Sequence, residues 1–359
     1  VIRLGIASGD WVNPKKTPEN KERWGGSGWA RVGQYIEYMP FTVVTGVLTR
    51  NKTHLCIMDV SGTLHDVDVI LMQRLMHDGI ANDIIKSRKQ GIKIINDIDD
   101  WYWGLSPSND AFKHNHPKRN PRENFNHYRS IIGNSDLVIA STPYLAGRVE
   151  SFTNSPIEVI KNTVDVGRFT PHEHTDSDKV VVGWVGSTQH RSGDLETMRG
   201  ILKPFVDSGS ISLFHGGAMP KAPSFASRVG VPEDSVTTKP LVPHTLYPGL
   251  MVMDIGIVPL SNMPFNRAKS DIKGLEYAAA GVPFVASNLD AYIELQSELG
   301  IGRVSKKPVN WIKHIKDLMD YKVRKEEAER NRELVQKRDI RFGAVQLIEA
   351  IESVYNGTK

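Results

Sequence analysis

Between Phe265 and Pro283 the chain reads Phe-Asn-Arg-Ala-Lys-Ser-Asp-Ile-Lys-Gly-Leu-Glu-Tyr-Ala-Ala-Ala-Gly-Val-Pro, residue types that suit an anionic ligand. Ser270 is the expected helix N-cap, Asp271 opens the first turn, Gly281 ends the helix and Pro283 prevents its continuation. A helix N-terminus presents unpaired N–H groups and the positive end of a dipole, which together attract phosphate. Arg267 and Lys269 add full charges there. Glu276 follows Ser270 by six residues, about 9 Å along a helix rising 1.5 Å per residue. A diphosphate at the helix start would leave a ribose near Glu276, whose carboxylate would accept from both hydroxyls. The bland alternative is a well-capped helix carrying surface Lys and Glu.

Four further loops carry candidate chemistry. Gly25-Gly-Ser-Gly28 permits close backbone approach to a phosphate or sugar, though a flexible surface turn reads the same. Gly186-Ser-Thr-Gln-His-Arg191 follows an apolar strand and offers hydroxyls plus one cation, unless Arg191 only makes a surface salt bridge. Asn96-Asp-Ile-Asp-Asp100 has two readings. Asp97 and Asp99 form the Asp-x-Asp pattern that holds Mn²⁺ or Mg²⁺ on a nucleotide diphosphate in single-domain, GT-A-like transferases. Alternatively the three Asp shape a loop leading to Trp101-Tyr-Trp103, with Asp99 or Asp100 touching an acceptor hydroxyl. Finally, Lys113–Arg122 holds four cations (Lys113, Lys118, Arg119, Arg122), two His and no acid. It is either a solvated loop or a clamp for an anionic acceptor. Trp101 and Trp103 beside it would suit sugar stacking or unstacked bases.

Short β-branched runs alternating with amphipathic stretches must position these loops. Ile2–Ala7, Phe41–Val47, Thr53–Met58, Val67–Met72, Ile92–Ile95 and Leu137–Ala140 read as strands, with helical patterns at Trp29–Tyr38, Ala81–Gln90 and Pro121–Gly133. The alternation restarts at Val180–Val185 and continues through Ser212–His215, Ile255–Pro259 and Phe284–Ala286. Such a pattern implies parallel sheets covered on both faces, and two series imply two doubly wound α/β domains. The expected division is 1–165, 166–340 and a C-terminal helix in 341–359 packing near the interface. Ligands of such sheets sit at the carboxyl ends of the strands, where all the candidate loops lie.

Composition sets the limits. The 359 residues are 40% hydrophobic and 24% charged, which excludes a disordered chain or a fibrous repeat. No apolar run is long enough to span a membrane. The net charge of +4, from 45 basic and 41 acidic side chains, does not by itself announce nucleic acid. A single cysteine, Cys56, lies in an apolar run and reads as an inert thiol in a reducing compartment, so a cytoplasmic protein is expected. The twelve histidines show no His-Glu-x-x-His and no Cys/His zinc spacing. Neither a Gly-x-Ser-x-Gly elbow nor a P-loop is present, which removes those hydrolase and nucleotidase readings.

With these residues in place, the chain resembles GT-B glycosyltransferases, in particular retaining family-four enzymes and their phage and bacterial relatives. The pattern Asn-x-x-Lys-Ser-x-x-Lys-x-x-Glu-Tyr-Ala-Ala-x-Gly-x-Pro-x-Val-Ala-Ser is met at Asn266, Lys269, Ser270, Lys273, Glu276, Tyr277, Gly281, Pro283, Val285, Ala286 and Ser287. Gly183-Trp-Val-Gly-Ser187 with His190 and Asp194, Asp254-Ile-Gly-Ile-Val-Pro-Leu260 and Asn162-Thr-Val-Asp165 agree in order. The amino half agrees more loosely, through Gly25-Gly26, Asn96–Asp100 and Ser135–Thr142. One departure is plain: many such enzymes carry a Glu eight residues before the ribose-binding Glu, and here Ala268 stands there.

The resemblance implies two Rossmann-like domains facing across a cleft, and transfer of a sugar from a nucleotide diphosphate to an acceptor hydroxyl. A UDP-sugar is the expected donor, with retention of configuration and no required cofactor or metal. Donor contacts are expected from Gly25, Gly26, Gly186, Ser187, His190, Asn266, Ser270, Asp271, Lys273 and Glu276. Arg191 and Lys269 would stabilise the leaving diphosphate, and Asp99 and Asp100 would serve the acceptor hydroxyl. Asp10, Trp101, Trp103, Lys118, Arg119 and Arg122 are the acceptor-side candidates. The acceptor would be DNA carrying a hydroxymethylated pyrimidine, a protein or a saccharide. A non-catalytic sugar- or nucleic-acid-binding module is the remaining alternative.

Overall fold

The computed structural model describes residues 1–11, 24–76, 79–107, 109, 111–116, 124–177, 179–189 and 193–358. Two six-stranded sheets, parallel throughout, organise the chain. The first contains β1 (Arg3–Ser8), β2 (Thr42–Thr45), β6 (Val69–Gln73), β7 (Lys93–Ile98), β8 (Leu137–Ala140) and β9 (Ile157–Val159), in the order β2-β1-β6-β7-β8-β9. Between β2 and β6 lies a small antiparallel sheet of β3 (Val47–Asn51), β4 (His54–Met58) and β5 (Leu64–His65). The second large sheet contains β10 (Val180–Val185), β11 (Ile211–Ala218), β12 (Val236–Pro240), β13 (Ile255–Val258), β14 (Phe284–Ser287) and β15 (Arg303–Ser305), in the order β12-β11-β10-β13-β14-β15.

The central strands are apolar on both faces because helices cover both sides. Leu4, Ile6, Val69, Leu71, Ile95 and Leu137 are buried in one cluster, and Ala7, Ile70, Met72 and Ile94 in another. Three expectations change here. The His54–Met58 run, read as part of the main series, pairs antiparallel in the side sheet. The pattern at Trp29–Tyr38 is a short α-helix, Gly26–Arg31, followed by a 3₁₀ turn, Gly33–Tyr38. The C-terminal helix, Ile340–Asn356, is part of the first domain itself: Ala344, Leu347, Ile351 and Val354 pack with Leu4 and Ile6. Each such buried aliphatic contributes about 1.5–3 kcal/mol, so this helix is structural for that domain.

The chain therefore crosses between domains twice, and the crossings touch. Val164 and Asp339 form a parallel bridge, in which Val164 N–H donates to the Arg338 carbonyl at 3.0 Å and Ile340 N–H to the Val164 carbonyl at 3.0 Å. No helix among the described residues is long and apolar enough to cross a membrane.

Candidate active site

A cleft of about 670 Å³ lies where the carboxyl ends of the two sheets face each other. From the first domain it is lined by the loop after β1 (Trp24 to Ala30), the loop after β7 (Asp99, Asp100) and the first crossing. From the second it is lined by Gly186 after β10, Pro259 and Leu260 after β13, the 241–248 loop, and the start of helix Ile272–Ala279.

That helix starts one residue later than the sequence suggests. Asp271, not Ser270, is the N-cap position, and no side chain caps it. The Asp271 carboxylate turns away to Arg338, at 3.1 Å. Ser270 Oγ instead accepts from Asn162 Nδ2 at 2.7 Å. Further along, Glu276 and Lys273 face the cleft one turn apart, joined through a residue from another loop. Lys273 Nζ is 2.9 Å from Tyr247 Oη, which donates to Glu276 Oε2 at 2.7 Å. Burial lifts the Tyr247 phenol well above its ordinary range, and the Glu276 carboxylate adds to the effect. The hydroxyl therefore stays protonated and holds Glu276 in one orientation.

The first domain reaches across to the foot of this helix at three points. Arg31 is buried and makes a bidentate pair with Asp97, its closest contact 2.6 Å. It also donates to the Ile160 carbonyl at 2.8 Å and to Asn162 Oδ1 at 2.7 Å, and Asn162 in turn reaches Ser270. Lys269 Nζ lies 3.3 Å from Asp100 Oδ1. Thr142 Oγ1 donates to the Ala268 carbonyl at 3.2 Å, and Ala268 is fully buried there. The position where relatives of the resembling family carry a Glu is thus packed under the opposite domain.

Around Asp99 the charges concentrate. Arg74, held at φ +55°, pairs with Asp10 at 3.1 Å and lies 3.8 Å from Asp99 and 4.0 Å from Asp100. Burial raises the Asp99 carboxyl to about 6; Arg74 opposes the rise, while Asp100 and Asp97 reinforce it.

Of the expected donor and reaction residues, Gly25, Gly26, Asp99, Asp100, Gly186, Lys269, Ser270, Lys273 and Glu276 line the cleft. Six others do not. Asp10 buttresses the glycine loop, accepting from Gly28 N–H at 3.0 Å while paired with Arg74. A Cβ on Gly28 would come within 2.8 Å of Ser8 Oγ, so this glycine serves packing, whereas Gly26 has open space around it. Ser187 Oγ contacts the Met219 sulfur at 3.1 Å. Asn266 is 2% exposed and donates to Asp194 at 2.6 Å, which withdraws it from the donor. Asp271 is committed to Arg338, as above. Trp101 and Trp103 stack on each other at 4.6 Å and pack with Phe152, so they form no open aromatic platform. Asp97 has both oxygens on Arg31, which withdraws it from the metal-binding reading of Asp97 and Asp99. His190, Arg191, Lys118, Arg119 and Arg122 lie outside the described residues.

Sequence reasoning missed Tyr247, Trp29, Arg168 and His244, which form the rest of the cleft wall. Trp29 stacks on His244 of the opposite domain at 3.9 Å, with the Arg168 guanidinium 5.0 Å from the Trp29 ring. No spacing rule joins residues this far apart in the chain; only the loop after β1 hinted at Trp29.

No model of a known protein family matches the sequence, and the search of curated proteins gives no match. Solved structures do match. Sucrose-phosphate synthase from Thermosynechococcus elongatus superposes with a TM-score of 0.67 at 14% identity, covering 99% of this chain and 100% of that one. Anabaena HepE, solved in complex with UDP and glucose, gives 0.67 at 14% identity over 98% and 100%. A glycosyltransferase from Rickettsia africae gives 0.64 at 12% identity over 98% of each. The chain has the GT-B fold. A GT-B cleft joins two sheets, which is why the single-domain metal-dependent alternative has no architectural counterpart here.

Proposed function

We propose that this protein is a glycosyltransferase that moves a sugar from a nucleoside diphosphate, UDP first among them, to an acceptor hydroxyl. The observation that carries the proposal is the juxtaposition of Lys273, Tyr247 and Glu276 with the foot of helix Ile272–Ala279 along one wall of the cleft. Glu276 would accept from the ribose hydroxyls, replacing its bond from Tyr247. Lys273 and Lys269, with the backbone N–H groups at the helix start, would face the diphosphate and stabilise its departure. The open backbone at Gly26, next to Gly25, would approach the donor from the opposite domain. HepE binds UDP and glucose in a fold of this kind, which supports UDP as the first donor to test.

Acceptor chemistry falls to the seam where Lys269 meets Asp100. Asp99, whose carboxyl burial raises to about 6, would in its ionised form accept the proton of an incoming hydroxyl. Retention remains the expectation drawn from the family resemblance, and in that case a donor phosphate oxygen takes the proton instead. The two are separated by proton NMR of the freshly formed anomeric bond, and by whether Asp99→Asn abolishes turnover. The primary experiment is donor hydrolysis without acceptor, screened over UDP-sugars. Slow release of UDP that disappears in Glu276→Ala supports the transferase; nucleotide binding without any turnover would leave a binding module.

A further inference from the structure

We propose a divalent transition-metal site of the zinc class, formed by His172, His174 and Asp254 at the end of helix Ile272–Ala279 remote from the cleft. Among the described residues these are the one group of three His, Cys, Asp or Glu side chains placed to share an ion, their ligand atoms lying within 4.8 Å of one another. His172 Nε2 is 3.3 Å and His174 Nδ1 is 3.4 Å from the same atom, Asp254 Oδ1. A tetrahedral zinc with ligands at about 2.0–2.1 Å has edges of about 3.3–3.4 Å. Two edges of that tetrahedron already stand at full length.

The decisive atom is Nδ1 of His174. The ring is enclosed, with 4% of the side chain exposed, and its Nε2 lies 2.8 Å from the Gly281 carbonyl oxygen. A carbonyl only accepts, so Nε2 carries a proton, and Nδ1 is the nitrogen left to bind an ion through its lone pair. That nitrogen is buried without a hydrogen-bond partner, and it faces a carboxylate oxygen. Two electron-rich atoms so placed repel unless a metal ion or a proton stands between them. A carbonyl on the far nitrogen is also the common outer contact of a metal-bound imidazole, because it fixes tautomer and ring direction.

The surroundings favour added positive charge. The last turn of the helix points carbonyls this way: Ala280 accepts from His172 N–H at 2.7 Å, and Gly281 holds His174. Asp254 Oδ2 is taken by Val181 N–H at 2.9 Å, which leaves Oδ1 for the ion. Arg324 is the competing cation, its Nε 3.8 Å from Oδ1, but three of its other four N–H groups are spent on the carbonyls of Leu318, Met319 and Thr175. Solvent would supply the fourth ligand. The ion would fasten the strap entering the second domain, the start of β13 and the end of the helix, roughly 12 Å from the start of that helix at 1.5 Å per residue.

The test uses the full chain, dialysed against chelator, loaded with Zn²⁺ or Co²⁺ and desalted. One zinc per chain by elemental analysis is expected, with the intense visible bands of tetrahedral Co²⁺ and a melting temperature that rises with zinc. In His172→Ala all three should fall to background while the far-ultraviolet circular dichroism is kept. Should that variant fail to fold, His174→Gln, which retains an N–H for the Gly281 carbonyl, carries the same comparison. Absence of stoichiometric zinc in the native chain, or zinc in a folded variant equal to that of the native chain, overturns the site. A melting temperature indifferent to zinc and chelator also overturns it.

Discussion

Glu276 offers the most direct single-residue test. Its carboxylate is poised by a phenol that burial keeps protonated, so the site is organised before ligand arrives. Glu276→Ala should weaken UDP binding by about 1.5–3 kcal/mol, the value of hydrogen bonds to a charged group. Titration calorimetry reads this directly, and an unchanged affinity would remove Glu276 from the nucleotide site. Tyr247→Phe should cost less, about 0.5–1.5 kcal/mol, since only the orienting bond is lost. Asp99 carries a pH signature. Its carboxyl titrates at about 6 in the folded chain, against an ordinary value of about 3.9. Between those values the folded chain holds a proton the unfolded chain has released, so rising pH through that window lowers stability. Asp99→Asn should flatten this decline, seen as urea midpoints of native and variant that diverge from about pH 4 to about pH 6. An identical pH slope in both would place the buried charge elsewhere. At this scale the sequence announced Lys273 and Glu276 because one helix carries both. It was silent on Tyr247 and on the His172, His174 and Asp254 group, whose members meet only after the sheet has formed.

The elements divide by how much apolar surface they bury. β10, β13 and β14 stood out in the sequence because helices cover both their faces. β12, with its run Val-Thr-Thr-Lys-Pro largely exposed at a sheet edge, and the three-residue β15 carry too little pattern to be read. The short helix Gly26–Arg31 was expected to matter for its glycines, yet its strongest tie is its last residue. Arg31 and Asp97 are both almost wholly enclosed, with 2% and 3% of their side chains exposed. Arg31→Ala would strand the Asp97 charge and should destabilise the first domain by about 3–5 kcal/mol. Equilibrium urea unfolding measures the loss. A change below about 1 kcal/mol would mean that water reaches Asp97 in the variant, as it does in a surface pair.

For the whole molecule, the two crossings at Val164 and Asp339 make the second domain an insertion into the first. The fold class followed from two series of strands, but this closure did not, because an amphipathic helix at the chain end names no partner in sequence. Deleting residues 340–358 removes Ile340, Ala344, Leu347, Ile351 and Val354 from the first domain's core. The truncated chain should lose cooperative unfolding of that domain while hydrogen exchange still finds β10, β13 and β14 protected. Equal protection of β1 and β6 in the truncated and full chains would contradict it.

The same closure fixes an order of events at the ribosome. The domain begun first is completed last, since its sheet, whose last strand ends at Val159, waits for a helix that starts at Ile340 to cover one face. At roughly 5–20 residues per second that wait is on the order of 10–40 s. Over this interval the six strands of the first sheet are already made, but the apolar face awaiting the last helix has nothing to cover it. The inserted domain has all its strands by Ser305 and can fold meanwhile. Birth order and folding order therefore run opposite in this chain, and the unfinished face of the first sheet is where a chaperone would find its client.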